Sequence, residues 1–418
     1  MFPGPALSLV EGPALSLVEG TASQVAFTHT YTYHTDYMPR TRVLGSGEAE
    51  GQVVWLNRCN LGDFSGQDLA GKIVLCYGEA LEEYEQALEQ ALAAHVGGML
   101  VVVSEMKSPL PRPSYGGGEM ASIPTFYITE AIARDLLAGT DTTLDRLRQR
   151  STTVPLSTTV HMAATIEVHQ VEARNVLGLL PGSDADHKEE TVVTGANYDA
   201  LGRDPDGTIY NGAYVNASGV AAMLEIARLW QVQGFRPARS VLFAAWDDQE
   251  QGWLGAQYYV RNPAYPLDHT VAMLDLNMVG RGEDVTVVGR GVVADQFEAS
   301  ARVYSATVGF IPTTEWGDSL AFYQGAVPTA MLVCFETSED SVYHRPEDDV
   351  ENIQLASLRA GGVLATHALA AWSGGRPTVP LPPTGPERTL RDLILPTPTC
   401  APPWPTGAMT CEHGNWSR

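Results

Sequence analysis

"SVLFAAWDDQEQGWLG", residues 240–255, begins as an apolar run of strand length and turns at Asp247 into a loop of acids, amides and glycines. A run with so little polar alternation fits a strand buried on both faces, as in parallel sheets covered by helices. Runs of the same character recur on either side: "NVLGLLPG" (175–182), "TVVTGANYD" (191–199), "AMLDLNMVG" (272–280), "DVTVVGRG" (284–291) and "TAMLVCFET" (329–337). Between them, Val220, Met223, Leu224 and Ala227 place an apolar stripe on a helix that starts near the cap candidates Asn216 and Ser218. This alternation predicts an α/β domain over 166–375: a mostly parallel mixed sheet with helices on both faces. In such sheets ligands gather outside the carboxyl ends of the strands, which is where the loop after Trp246 lies.

Residues 46–165 read as a smaller α/β unit. "LAGKIVLCYG" predicts a strand, and Leu81, Tyr84, Leu88, Leu92 and Val96 share one face of the helix that follows. "GGMLVVVS" and "SIPTFYIT" are further strands, and helix "EAIARDLLAG" is expected to end on Gly139. This order, with Gly-Gly before one strand and Ser-Ile-Pro before the next, resembles the protease-associated domain.

Residues 1–24 contain a tandem octamer, GPALSLVE at 4–11 and again at 12–19, too short to build a solenoid and expected to be disordered. A segment over 25–45 precedes the smaller unit, and residues 376–418 form a Pro-rich C-terminal tail. The N-terminus lacks a basic n-region, so no signal peptide is expected in this chain. No apolar run approaches the roughly 18 residues of a membrane span. With 26 basic and 49 acidic residues the net charge is −23, which repels nucleic acid and anionic membranes. The five cysteines contain no C-x-x-C pair. Cys76 and Cys334 fall in apolar strands and are expected to be buried thiols, whereas Cys400 and Cys411 could close a small loop.

Five segments of the larger domain resemble, in order and spacing, metallopeptidase family 28, the zinc aminopeptidases and carboxypeptidases. "VVTGANYDALG" is similar to the family's strand ending in His-Tyr-Asp, and "NGAYVNASGVAAMLEIARLW" to its Asn-Asp-Asn-Ala-Ser-Gly-Val-Ala helix start. "FAAWDDQEQGWLGAQYYV" parallels the Glu-Glu-x-Gly-x-x-Gly loop, "LDLNMVG" the Asn-Leu-Asp-Met-Val-Gly strand end, and "YHRPEDDVENI" the Tyr-His-x-x-x-Asp segment. The protease-associated-like unit is a common companion in that family. The resemblance suggests an extracellular or periplasmic protein if the true start is missing.

The family's chemistry needs two zinc ions on His and carboxylate ligands, one carboxylate bridging, with a free glutamate to take the proton of the bridging water. The resemblance puts Asn197, Val215 and Asn277 where the first metal's ligands belong, with Val215 at the bridge. The base falls on Gln249, an amide without useful basicity. Glu250 and His344 remain as ligands of the second metal, either paired with each other or holding one zinc weakly. Asp199 occupies the position that supports the ligand His, and beside Asn197 it reads as a local acceptor. Four of the six chemical positions are thus changed while their framing residues remain.

The sequence therefore points to a non-catalytic relative that binds a peptide or protein, or serves as a scaffold, with no cofactor. The alternative is an active zinc-dependent aminopeptidase with an atypical, mononuclear site. Asp247 and Asp248 could act as replacement ligands. Trp246, Trp253 and Trp316 are candidates for a pocket wall or for core packing. Asn216-Ala-Ser matches a glycosylation acceptor but sits in the helix-start motif, where a sugar would clash.

Overall fold

The computed structural model describes residues 2–19, 29–33, 35–39, 45–78, 84–103, 122–138, 140–150, 152–204, 206–282, 284–291, 293–295, 297–298, 308–313, 317–336, 341–374, 410–412 and 415–417. The chain forms two compact units, Met1–Arg376 and Pro377–Arg418. The described part of the second unit is an antiparallel pair, Thr410–Glu412 with Asn415–Ser417. The expected Cys400–Cys411 pairing lies outside the described residues.

The first unit contains two large sheets. One is built from β1 (Phe2–Glu19), β2 (His29–Thr30), β3 (Tyr37–Pro39), β4 (Gly47–Trp55), β5 (Ile73–Gly78), β6 (Gly98–Val103), β7 (Thr125–Ile128) and β8 (Val154–Ala173), in the order β2-β1-β8-β4-β5-β6-β7-β3. Strands β4 to β7 run parallel, with α1 (Tyr84–Ala93) crossing between β5 and β6. Alternate side chains feed two cores. Val53, Leu75 and Phe126 pack on one face with α2 (Glu130–Leu136) and α3 (Leu144–Arg148); Val54, Cys76 and Met99 pack on the other. Leu88 and Val96 are buried as the helical pattern requires and Leu92 partly so; the side chains of Leu81 and Tyr84 lie outside the described ones. Helix α2 is capped by Leu137, and Gly139 is outside the described residues.

Two expectations change here. Cys76 is not a free thiol but is disulfide-bonded to Cys59, with Cα atoms 5.6 Å apart. The chain folds back after β4, where Asn57 and Cys59 take positive φ and the Tyr77 amide donates to the Asn57 carbonyl, and this brings Cys59 beneath β5. Cys334 is the buried thiol expected of it. The octamer repeat, expected to be disordered, is an extended strand paired antiparallel with β8, with shifts of register along its length. The length of β8 explains this: β4 covers only its first half on one side, and a long backbone edge is open to any extended segment. Because β2 covers only Ser16 and Leu17 of β1, its outer side tolerates the prolines of the repeat.

The other sheet holds β9 (Val176–Leu180), β10 (Thr191–Asn197), β13 (Ser240–Trp246), β14 (Thr270–Leu276), β15 (Asp284–Gly289), β16 (Val308–Ile311) and β17 (Thr329–Phe335), ordered β16-β15-β17-β14-β10-β13-β9. A small hairpin, β11 (Gly202–Arg203) and β12 (Ile209–Tyr210), stands apart. The centre is parallel, whereas β9 and the β15–β17 contact are antiparallel, giving the expected mixed α/β sheet. Helices α4 (Ser218–Gln233) and α7 (Leu355–Trp372) cover one face; α5 (Leu254–Arg261) and α6 (Ser319–Gln324) cover the other. The buried stripe of α4 is Ala222, Met223, Ile226 and Trp230, whereas Leu224 is exposed, so the face is rotated from the predicted one. Trp230 sets that rotation by filling the space against Phe235 and Phe243. Among the described residues no helix is long and apolar enough to cross a membrane.

Candidate functional site

The positions singled out in the sequence converge at the carboxyl ends of β10, β13, β14 and β17. Asn197 ends β10, Gln249 and Glu250 follow β13, Asn277 follows β14, and His344 lies in the turn after β17. Asn197, Asn277, Glu250 and His344 are all buried.

A network of amides organises the centre. Asn197 Nδ2 donates to Asp199 Oδ1 (3.2 Å), and its Oδ1 accepts from Asn216 Nδ2 (2.9 Å). Asn216 Nδ2 also donates to the Leu276 carbonyl, and its Oδ1 accepts from the amides of Gly219 and Met278. Asn216 therefore does the work of a cap at the start of α4, while the Ser218 hydroxyl donates to the Tyr214 carbonyl. At 1 % exposure Asn216 has no room for a glycan.

Val215, at the bridging position, packs in a small apolar cluster with Tyr214, Val342, Met278 and Ile353. Its turn is fixed by Asp348, whose carboxylate accepts from the amides of Tyr214 (2.6 Å) and Val215 (3.1 Å). Burial lifts the Asp348 carboxyl to about 6 against those two hydrogen bonds.

Asp199 Oδ2 accepts from the Glu250 amide at 3.0 Å and so ties β10 to the loop after β13. Burial raises its carboxyl to about 6, opposed by the amide donors and reinforced by the charge of Glu250. Glu250 Oε2 stands 3.7 Å from His344 Nε2, and the His344 ring stacks on Tyr343 at 3.8 Å. Asp247 accepts from the Arg174 amide and the Tyr198 hydroxyl, and burial raises Asp248 to about 6. Among the described residues no group of three or more His, Cys, Asp or Glu is placed to hold a metal ion.

Trp246 is fully buried against Tyr259 and Phe322 beneath the site, so it is core rather than pocket wall. Its place in the alternation of β13 points it into the sheet's helix-covered face. Trp253 is partly buried at the start of α5, and Trp316 lies outside the described residues.

Two buried acids were not singled out in the sequence. Asp275 in β14 accepts from the Ser319 amide, and both oxygens of Asp318 lack a hydrogen-bond partner among the described residues. Burial raises both carboxyls, and the nearby charges of Asp275, Asp199 and Glu250 push Asp318 further. An acid within the apolar run "AMLDL" was the available signal.

Residues 175–369 match the profile of Peptidase family M28. The likeness to the M28 peptidases spans that segment, a little under half of the chain. Aminopeptidase YwaD of Bacillus subtilis is 25 % identical over 337 residues, 77 % of this chain and 67 % of that protein. A probable zinc metalloprotease of Pyrenophora teres is 33 % identical over 125 residues, 28 % of this chain and only 26 % of its own length. The fold is that of the aminopeptidase from Aneurinibacillus sp. strain AM-1, with TM-score 0.66 and 19 % identity over 90 % of this chain and 83 % of the other. The zinc aminopeptidase BSAP of Bacillus subtilis gives TM-score 0.61 at 18 % identity, covering 91 % of this chain and 86 % of BSAP. At those identities the structural likeness speaks for the fold alone.

Proposed function

We propose that this M28 homologue is non-catalytic: a peptide- or protein-binding or scaffold protein in which the two-zinc site and its general base are lost. The observation that carries this reading is the environment of Val215. The position expected to bridge two metals is an apolar side chain packed among Tyr214, Val342, Met278 and Ile353. Around it the donor set does not fit a zinc pair. Val215 offers no lone pair, Asn197 is held by Asp199 and Asn216, and Asn277 is a neutral amide. Gln249 at the base position has no useful basicity.

A second reading, an aminopeptidase with a single atypical zinc, draws on Glu250 and His344 facing each other at 3.7 Å and on relatives described as zinc peptidases. Two side-chain donors fall short of the three or four that zinc sites usually take. Bound metal per chain, measured by inductively coupled plasma mass spectrometry on untagged protein grown with zinc, separates the two. Well under one zinc per chain is expected; one or more tightly held zinc ions overturns the non-catalytic reading.

We also read residues 46–165 as a protease-associated-like unit, in keeping with the parallel β4–β7 order and its crossing helix. The Cys59–Cys76 disulfide supports an extracellular or periplasmic location, because such bonds persist mainly in oxidising compartments. Thiol alkylation of protein isolated from its native compartment tests this: both cysteines should resist labelling until reductant is added.

A further inference from the structure

Strand β8 ends at Ala173 and β9 begins at Val176, so two residues, Arg174 and Asn175, carry the chain from the first sheet into the other. Val176 pairs with Ala245 near the end of β13, which sets Asn175 level with the loop that carries Gln249 and Glu250. Its side-chain amide clasps both ends of that loop. Asn175 Oδ1 accepts from the Asp247 amide at 3.2 Å, and Nδ2 donates to the Gly255 carbonyl at 2.8 Å. Glycine permits this approach: a Cβ on Gly255 would stand 2.5 Å from Asn175 Oδ1 and 2.3 Å from the Asp247 carbonyl oxygen.

The other linker residue is bound from the loop side. Asp247 Oδ2 accepts from the Arg174 amide at 2.7 Å, and its Oδ1 accepts from the Asp248 amide at 3.0 Å. The Tyr198 hydroxyl completes the joint, 2.7 Å from the Arg174 carbonyl oxygen and 2.9 Å from Asp247 Oδ2. Tyr198 directly follows the end of β10, and its own amide donates to the Trp246 carbonyl. Within the loop the amides of Leu254 and Gly255 donate to the carbonyls of Asp248 and Asp247, so its two ends are closed on each other.

We propose that Asn175 is a positioning residue for the loop bearing Gln249 and Glu250, and that with the bond from Arg174 to Asp247 it forms a clip through which the end of β8 sets where that loop stands. Displacing the first sheet relative to the other pulls on Arg174 and Asn175, whose partners Asp247 and Gly255 are the two ends of the loop. The Glu250 amide passes the displacement to Asp199, and Asn197 lies one hydrogen bond further. The loop is thus held from two sides, by β10 through Asp199 and by the linker through Asn175. The inference goes beyond the proposed function, since the loop has to be placed whether the site binds or hydrolyses.

Hydrogen–deuterium exchange of the full chain, read residue by residue, tests the clip. Asn175→Ala removes both clasping bonds, and the amides of Asp247, Leu254 and Gly255 should exchange about tenfold faster, the factor that one or two net hydrogen bonds represent. The Arg174 amide should accelerate with them, because its acceptor rides on the same loop. Arg174→Ala is the control: it deletes a surface side chain paired with Glu172 at 2.8 Å, leaves the amide in place and should leave loop exchange unchanged. Asn175→Asp supplies a rescue that a merely space-filling side chain would not show. When protonated, the new carboxyl accepts from the Asp247 amide and donates to the Gly255 carbonyl as the native amide does; when ionised, it repels that carbonyl. Loop protection relative to wild type at the same pH should therefore recover as pH falls from about 8 to about 4, a transition that the like charge of Asp247 moves toward neutral. Unchanged loop exchange in Asn175→Ala, an equal rise in Arg174→Ala, or an Arg174 amide that keeps its protection while the loop opens overturns the proposal. Should Asn175→Ala not fold, the Asn175→Asp series decides, and loop protection indifferent to pH overturns the clip.

Discussion

Asn216 uses both ends of its side-chain amide, donating to Asn197 and the Leu276 carbonyl and accepting from Gly219 and Met278. Asn197, Leu276 and Gly219 are buried and Met278 is half-buried, so truncation leaves most of these groups unpaired rather than resolvated. Asn216→Ala should therefore cost about 3 kcal/mol, read from urea unfolding midpoints at unchanged slope. A loss under about 1 kcal/mol would mean that water enters the network and replaces the amide. The base position supports a different prediction. Gln249→Glu supplies a carboxylate, yet Asn197, Val215 and Asn277 still present no acid or imidazole around it. Hydrolysis of leucine p-nitroanilide should stay at background in that variant, and turnover above background would count against the non-catalytic reading.

At the scale of elements, the strands around the site were legible because each is an apolar run that ends in a polar break, as "SVLFAAW" does before Asp247. The site positions were legible because strand ends collect in one place in a parallel sheet. What the sequence concealed depends on contacts across long separations. The pairing of β1 with β8 rests on backbone geometry, which composition does not encode, and Trp230 turns α4 away from the face suggested by Leu224. Cys59 reaches Cys76 only because a loop with two positive-φ residues folds beneath β5. That disulfide closes a separation of 17 residues, for which chain entropy gives a stabilisation of about 3 kcal/mol. Cys59→Ser with Cys76→Ser should lower the stability of the first sheet by about that amount and leave metal content unchanged. Calorimetry that shows no shift between the variant and wild type would place the two thiols apart in solution.

For the whole molecule, the several carboxyls raised by burial set the sign of the pH dependence. Asp199 and Asp348 stand at about 6 against an ordinary value of 3.8, and Asp275 and Asp318 are raised as well. In the unfolded chain these groups release their protons at lower pH than in the folded one, so the folded state binds more protons between those values. Stability from them is complete below the unfolded value and is lost as pH rises through the folded ones. Glu130, where burial raises the carboxyl but Arg148 and Arg134 together lower it further, and Glu190, lowered chiefly by Arg239, act in the opposite sense, but both lie near the surface, where such pairs contribute little. The net charge of −23 works in the same direction as the buried acids, because deprotonation adds to self-repulsion. The thermal midpoint should therefore fall as pH is raised from about 4 to about 7, the window between the ordinary and the raised carboxyl values. Asp199→Asn should flatten part of that slope while keeping an acceptor for the Glu250 amide. Melting curves across this range check both statements, and a midpoint that climbs with pH would show that these acids are ionised in the folded protein.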